Sequence, residues 1–377
     1  MKIAIMTQPL GKNYGGIMQA WALQQVLKNA GHEPVTIDRQ ADVKGPAYTA
    51  ARFGYRALQK VLGKRKAPIN IERYLPTILQ QTNEFIGQHL KMSEPLNSTA
   101  KLKAHFEREQ YDAVIVGSDQ TWRPCYSPNI DNFFLDFLQG SDIKRIAYAS
   151  SFGVEEWEYT KEQTQRCAAL AKQFYAISVR ENSGVDLCRD YFGVEATHVV
   201  DPTLLLERSS YEALYKNKEI HERQGVCTYI LDQANWKNQV VETVKRELNE
   251  VQYYNQPKAS LSEFSSSNLG DYNMPSIDEW IKGFADAKFV ITDSFHGTVF
   301  SILFNKPFIS LINPSRGASR FYSLADRLGL SERLFSKFDE FAVKELLSVE
   351  FHYPDISHKL MGLRRESERF LAGALIY

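Results

Sequence analysis

The chain has 377 residues, of which 44% are hydrophobic and 24% charged, and its 45 basic residues balance its 45 acidic ones. A net charge of zero argues against a protein that binds nucleic acid through a basic surface. No apolar run is long enough to span a bilayer, and the apolar run at the N-terminus is too short for a signal sequence. We therefore expect a cytoplasmic protein, and the length predicts two domains.

Strand-like and helix-like segments alternate along the chain, which is typical of parallel sheets with helices on both faces. In the first half, strands are predicted at residues 2–7, 34–38, 113–117 and 145–150, and helices at 17–30 and 160–174. In the second half, strands are predicted at residues 176–180, 197–200, 226–231, 251–254, 289–292 and 308–311.

This pattern predicts an α/β protein with two Rossmann-like domains, residues 1–175 and 176–357. A terminal helix at 358–377 is expected to pack back on the first domain. Residues 41–110 contain few strand-like runs and form an irregular helical insert on the first domain.

Within this insert, four basic residues recur at every fourth position: Arg52, Arg56, Lys60 and Lys64. In a helix they lie along one side, beside an apolar stripe formed by Phe53, Ala57, Leu58 and Val61. Two interpretations stay open at this point. The helix either covers one edge of the sheet and is solvated, or makes peripheral contact with an anionic membrane surface.

The most informative segment is the apolar run 289–292, which leads through a small polar turn into an apolar helix. Such a strand–turn–helix joint directs N–H groups and the positive end of a helix dipole into a crevice, where an anion binds well. Ser294 and His296 add an acceptor and a proton donor, and Gly297 follows them. The alternative is a sharp turn with a histidine satisfied in the core.

A second cluster, Asn13, Tyr14 and Gly15, lies between the first strand and the first helix. Glycine at this place lets the backbone approach a ligand at the helix N-terminus, although tight packing explains it equally well. The segment lacks both the dinucleotide fingerprint and the P-loop lysine, so the sequence does not indicate NAD or ATP as a ligand.

A third cluster follows the strand at 113–117 and contains Ser118, Asp119 and Trp122. A carboxylate and polar groups beside an indole suit a sugar, whose hydroxyls take hydrogen bonds and whose C–H face packs on the ring. The alternative is an aspartate that caps a helix and a tryptophan in the core.

Arg180 stands at the carboxyl end of a predicted strand, where a guanidinium can take a carboxylate or phosphate in bidentate fashion. Its alternatives are a surface pair with Glu181 or a salt bridge at a domain hinge. Arg316 and Arg320 follow the strand at 308–311 and supply further positive charge. Four scattered cysteines and eight histidines show no metal-binding spacing, so neither a metal nor a cofactor is predicted.

Taken together, these clusters resemble the polysaccharide pyruvyl transferase family over most of the chain. The matching motifs, in the family's order, are Asn13-Tyr-Gly-Gly16, Gly117-Ser-Asp-Gln-Thr-Trp122, Ser178-Val-Arg-Glu181, Val199-Val-Asp-Pro-Thr203 and Asp293-Ser-Phe-His-Gly297, with the helix leading to Lys306-Pro307.

The resemblance implies a fold like that of GT-B glycosyltransferases, with the active site in the cleft between the domains. It implies a phosphoenolpyruvate-dependent ketal pyruvyltransferase, with phosphoenolpyruvate as co-substrate and donor. The acceptor would be a sugar diol of a saccharide or lipid-linked oligosaccharide, in exopolysaccharide, capsule or cell-wall glycan synthesis. The products would be a cyclic pyruvate ketal and phosphate.

The resemblance also implies roles for single residues. His296 would be the general acid or contact the phosphate, and Asp119 would orient or deprotonate the acceptor hydroxyl. The remaining donor-binding residues would be Arg180, Ser294, Gly297 and Arg320. The acceptor or the cleft wall would be contacted by Asn13, Tyr14, Gly15, Ser118 and Trp122. Asp201 is expected to fix a turn.

Two other functions fit the same architecture. One is a nucleotide-sugar glycosyltransferase, and the other is a carbohydrate-binding subunit without catalytic activity. Protection by a nucleoside diphosphate would favour the first, and sugar binding without phosphate release from phosphoenolpyruvate would favour the second.

Overall fold

A computed structural model describes residues 1–257, 266–313 and 317–376 of the chain. Arg316, which the sequence suggested as an additional cation, lies outside the described residues. The four cysteines are free thiols. Among the described residues, no helix is both long and apolar enough to cross a membrane.

The first domain is built on a six-stranded parallel sheet. Its strands are β1 (Lys2–Met6), β2 (Glu33–Ile37), β3 (Ala113–Val116), β4 (Lys144–Ser150), β5 (Ala176–Val179) and β6 (Thr197–His198). They lie in the order β2-β1-β3-β4-β5-β6. The central strands β1, β3 and β4 are almost completely buried, as expected for apolar strands covered by helices on both faces.

The second domain is built on a five-stranded parallel sheet. Its strands are β7 (Val226–Tyr229), β8 (Gln252–Tyr254), β9 (Phe289–Thr292), β10 (Phe308–Leu311) and β11 (Leu334–Phe335). They lie in the order β11-β10-β9-β7-β8.

Fourteen α-helices connect or cover these strands within the described residues. In the first domain they are α1 (Tyr14–Asn29), α2 (Pro46–Val61), α3 (Leu75–Ile78), α4 (Gln80–His89), α5 (Thr99–Glu109), α6 (Lys161–Ala171) and α7 (Asn182–Leu187). The others are α8 (Arg208–Tyr215), α9 (Asn235–Leu248), α10 (Ile277–Asp286), α11 (Phe295–Leu303), α12 (Ser319–Leu328), α13 (Glu340–Ser348) and α14 (Tyr353–Leu375).

The predicted domain boundary at residue 175 is wrong. Strand β5 pairs with β4 in parallel register, Ile146 opposite Ala176, and β6 pairs with β5, so both belong to the first sheet. The second sheet begins only at β7. Alternation of strands and helices predicts the strands but does not tell which sheet each one joins, and this caused the error.

The terminal helix does pack back on the first domain, as predicted. It is longer than expected, since α14 begins at Tyr353. Phe370 in this helix lies 6.4 Å from Tyr148 in β4, measured between ring centroids, and Lys144 Nζ donates to the carbonyl oxygen of Ile376 at 2.5 Å.

Candidate active site in the interdomain cleft

A cleft of about 680 Å³ lies between the two domains. Its walls are loops that follow the carboxyl ends of β1 and β3 in the first domain and of β7, β9 and β10 in the second. Ligands of open parallel α/β sheets bind at these strand ends. The cleft is therefore the candidate active site.

The joint between β9 and α11 forms one wall of the cleft. Ser294 caps the helix, because its Oγ accepts the N–H of Gly297 at 3.4 Å. A methyl group at Gly297 would lie 2.2 Å from Thr292 Oγ1, so glycine is needed for the helix to pack against its own strand. The N–H groups of Phe295 and His296 are left without partners inside the helix, and they give this end of α11 its positive polarity.

The His296 imidazole is held from two sides by the first domain. A methyl group at Gly15 would lie 2.0 Å from Nδ1, so the ring packs directly on the backbone at the start of α1. Nε2 lies 3.5 Å from Asp201 Oδ2, which is within ion-pair distance but without hydrogen-bond alignment. The residue is 4% exposed and lines the cleft. Gly15, predicted to line the opposite wall, does not line the cleft but packs against the His296 ring.

Asp201 joins the charged groups behind the cleft. Its Oδ1 accepts the N–H of Thr203 at 3.0 Å, which confirms the predicted role in a turn. Its Oδ2 accepts from Arg180 Nη1 at 2.6 Å and from Ser118 Oγ at 3.3 Å, and also faces His296. Burial alone would raise the pKa of this carboxyl, but the nearby charges of His296 and Arg180 hold it well below its ordinary value.

This second role of Asp201 was not predicted from the sequence. The signal available was the buried-strand context of Val199-Val200 followed directly by a carboxylate at a strand end. Proximity to His296 was not visible, because the two residues come from different domains.

Arg180, which was predicted to contact a donor directly, does not line the cleft. The side chain is 1% exposed, lies behind the cleft and is absent from its lining. Besides its bond to Asp201, Nη2 lies 3.6 Å from Asp119 Oδ1, and the guanidinium carbon is 4.9 Å from the Phe295 ring centroid. Burial opposes its charge, but Asp201, Asp119 and Glu181 raise its pKa above the ordinary value. Arg180 is therefore a positioning residue for two carboxylates.

Arg320 does line the cleft, as predicted. Its guanidinium carbon is 5.3 Å from the Phe295 ring centroid, and its Nε donates to the Gly317 carbonyl at 3.2 Å. Burial and the charge of Arg180 lower its pKa to about 10, so it is still a cation at neutral pH. Lys12 and Asn13 line the opposite wall, and Lys12 adds a second positive charge.

Asp119 lines the cleft from the first domain. Its backbone is left-handed, with φ 78°, a region that few non-glycine residues adopt and that is enriched at functional sites. Oδ1 accepts the Gln120 N–H at 2.8 Å, and Oδ2 lies near Gly16, where an added methyl group would be 3.4 Å away. One carboxylate oxygen is thus fixed and the other lies by the start of α1.

Three residues predicted to line the cleft are buried elsewhere, and these predictions are wrong. Trp122 is fully buried, stacks on Phe134 at 4.9 Å between ring centroids and donates its indole N–H to the backbone carbonyl of Phe133. Ser118 is also fully buried. Tyr14 is 1% exposed and donates its hydroxyl to the Pro275 carbonyl at 2.7 Å, so it joins the two domains.

Among the aromatic side chains that line the cleft, Tyr126 is the most exposed, at 46%. It lies on the same loop as Trp122, and the Arg123 guanidinium lies 4.8 Å from its ring centroid. Asp232 and Asn313 line the cleft from the second domain and share a hydrogen bond of 3.1 Å. This part of the cleft combines an aromatic face with amide and carboxylate groups.

Asp293 also lines the cleft, but its charge is already compensated. It accepts the N–H groups of Leu231 and Asp232 and pairs with the buried Lys237 ammonium at 2.6 Å. No group of three or more potential metal ligands occurs within residues 1–257, 266–313 and 317–376.

A family model described as polysaccharide pyruvyl transferase matches residues 13–315, most of the chain. The chain therefore belongs to this family. A search of curated proteins finds no match.

Solved structures share the fold at low sequence identity. UDP-GlcNAc 2-epimerase from Neisseria meningitidis bound to UDP-GlcNAc has a TM-score of 0.55 and 10% identity, covering 100% of this chain and 99% of that one. The S. aureus MnaA–UDP structure has a TM-score of 0.54 and 13% identity, covering 98% of this chain and 95% of that one. A glycosyltransferase from Rickettsia africae has 0.51 and 11%, covering 98% of both chains. These similarities confirm the predicted two-domain GT-B architecture.

Proposed function

We propose that this member of the polysaccharide pyruvyl transferase family transfers the three-carbon unit of phosphoenolpyruvate to two hydroxyls of a saccharide, forming a cyclic pyruvate ketal and releasing phosphate. The observation that carries the proposal is the position of His296. Its imidazole lies at a helix N-terminus in the cleft and is backed by a buried carboxylate, and Arg320 lines the same cleft.

The overall reaction requires two proton transfers. The methylene carbon of the donor gains one proton and becomes a methyl group, which leaves an oxocarbenium-like centre at C2. One sugar hydroxyl adds at C2, the C–O bond to phosphate breaks, and the second hydroxyl closes the ketal. The two hydroxyl protons balance those gained by the methyl carbon and by the departing phosphate.

His296 is the proposed acid for the methylene carbon. A positioned general acid contributes about 10²–10⁴-fold to a rate. The carboxylate of Asp201 lies 3.5 Å from Nε2 and orients the ring, while Nδ1 lies beside the backbone of Gly15. Arg180 keeps Asp201 ionised and oriented, since it donates to the same oxygen.

The donor carries a carboxylate and a phosphate, and separate groups are available for them. Arg320, Lys12 and the N-terminal N–H groups of α11 line the cleft and attract anions. Asp119 is the proposed acceptor for a hydroxyl proton. Tyr126 takes over the sugar-packing role first predicted for Trp122, because its ring is exposed in the cleft.

The test follows inorganic phosphate release from phosphoenolpyruvate with a panel of galactosides, glucosides and mannosides, and identifies the ketal by mass spectrometry. We expect His296→Ala to lower kcat by at least 100-fold, with His352→Ala, a surface histidine, as the matched control. Arg320→Ala should mainly raise KM for phosphoenolpyruvate, whereas Arg189→Ala, on an exposed helix end, should not.

A thermal-shift comparison separates this proposal from the rival functions. Phosphoenolpyruvate should raise Tm in the wild type and less in Arg320→Ala. Stabilisation by UDP but not by phosphoenolpyruvate would reject the proposal in favour of a nucleotide-sugar glycosyltransferase. Saccharide binding without phosphate release from any acceptor would favour a binding subunit.

A further inference from the structure

Helix α2 presents an apolar face that the protein itself does not cover. No residue of this 16-residue helix is buried. Tyr48, Tyr55, Leu58 and Leu62 are each between 55% and 62% exposed, and Val61 is 85% exposed. Tyr48, Tyr55, Leu58 and Leu62 are separated by seven, three and four residues, so their side chains lie along one side of the helix.

The opposite side of α2 contacts the protein. Phe53 is half-buried, and Arg56 donates to Glu72 and to the Ile69 carbonyl at 2.9 Å. The exposed stripe therefore faces outward, away from these contacts. Contrary to the stripe drawn from sequence, Phe53 points inward, and the outward face carries tyrosines and leucines.

The charge around this face is of one sign. Between Val43 and Ile71 the sequence has seven basic residues and no acidic one, although the whole chain is neutral. Exposed lysines lie at the two ends of the helix. Lys44 precedes the helix, Lys60 lies in its last turn, and Lys64 and Lys66 follow it.

We propose that α2 docks on the surface of an anionic lipid bilayer. A helix with an apolar stripe, interfacial tyrosines and flanking lysines lies in the plane of the interface, with the stripe among the acyl chains and the lysines at the headgroups. The helix is ~24 Å long, at 1.5 Å per residue, so the contact with the bilayer surface can run along this whole length.

Docking here brings the cleft near the membrane. Helix α2 follows the carboxyl end of β2, and the cleft loops follow the carboxyl ends of the parallel strands β1 and β3. Carboxyl ends of parallel strands lie at the same edge of a sheet. An acceptor held in the membrane by a lipid would then approach the active site from this edge.

The test is co-sedimentation of the full chain with vesicles at low and high salt. One set of vesicles is pure phosphatidylcholine, and the other contains about 30% phosphatidylglycerol, an anionic lipid. We expect retention on the anionic vesicles only, weakened by salt. Lys60→Glu with Lys64→Glu, and separately Leu58→Ser with Leu62→Ser, should each lower the apparent affinity at least tenfold. Phe341→Ser, which is 77% exposed in the second domain, is the matched control.

The inference is overturned if the wild type is not retained on anionic vesicles at low salt, or if the leucine variant is retained as well as the wild type. It is also overturned if light scattering shows a dimer that the leucine variant dissociates, because a second copy would then cover the stripe. Vesicle binding needs no turnover, so its failure is distinct from failure of the proposed reaction. The variants should release phosphate with soluble acceptors at the wild-type rate.

Discussion

Gly15 offers the sharpest test of the active-site geometry, because a single added carbon acts directly on the proposed acid. In Gly15→Ala, the methyl group would lie 2.0 Å from Nδ1 and 2.3 Å from Cγ of His296. Nonbonded heavy atoms pack at roughly 3.5–4 Å, so the ring or the helix must shift by more than about 1 Å. The ring cannot simply retreat, since Asp201 already lies 3.5 Å from Nε2.

A misplacement of about 1 Å can cost about 100-fold in rate. We therefore expect Gly15→Ala to lower kcat for phosphate release by roughly 100-fold, with overpacking costing about 1–3 kcal/mol of the free energy of unfolding. Gly87→Ala in α4 is the control, because no described atom lies within 4 Å of the added methyl group. It should leave kcat unchanged and stabilise the helix by about 0.5–1 kcal/mol. Near-wild-type turnover by folded Gly15→Ala would refute the assigned position of the acid.

Three further predictions concern charge and domain contact. Asp201→Asn leaves Arg180 buried without its carboxylate and should lower the free energy of unfolding, measured in urea at pH 7, by about 3–5 kcal/mol. Because the pKa of Asp201 is depressed, the difference in stability between wild type and variant should shrink as pH falls below about 4. A difference that stays constant with pH would contradict the ion pair. Burial lowers the pKa of His198 from 6.5 to about 4, so on acidification the unfolded chain takes up a proton before the folded one, and the free energy of unfolding should fall as pH drops from 6.5 to 4. His198→Gln should reduce this dependence of stability on pH. An unchanged dependence would show that His198 is not its cause. Tyr14→Phe removes the 2.7 Å bond to the Pro275 carbonyl and should cost about 1 kcal/mol, whereas no loss of stability would show that this domain contact is not stabilising.

Local patterns in the sequence predicted the elements that hold the acid. The β-branched run at 289–292, the capping Ser294 and the apolar helix after it are consecutive in sequence, so their joint was predictable. The anion-binding position of this helix end follows from the same local geometry. His296 was placed in the cleft for this reason, whereas Asp119 and Arg320 were placed there by their positions after other strands and by the family resemblance. All three line the cleft.

Contacts between distant segments were not predictable. Trp122 and Tyr126 are aromatic residues on the same loop, and Trp122 is the buried one because it packs among aromatic residues from distant segments, including Phe134 and Phe192. Arg180 was expected at a ligand because strand ends face clefts. Its actual partner, Asp201, is 21 residues away and takes the guanidinium behind the cleft. Pairing of β5 with β4 likewise depends on register, which the alternation of elements does not encode.

The site is divided between the domains in a way that ties the chemistry to their contact. His296 and Arg320 belong to the second domain, while Gly15 and Asp201 lie on the first. The imidazole therefore has its carboxylate only while the domains are apposed, and any motion that opens the cleft also separates Nε2 from Asp201. In the proposed reaction, the surroundings of the acid His296 are therefore complete only where the two domains meet.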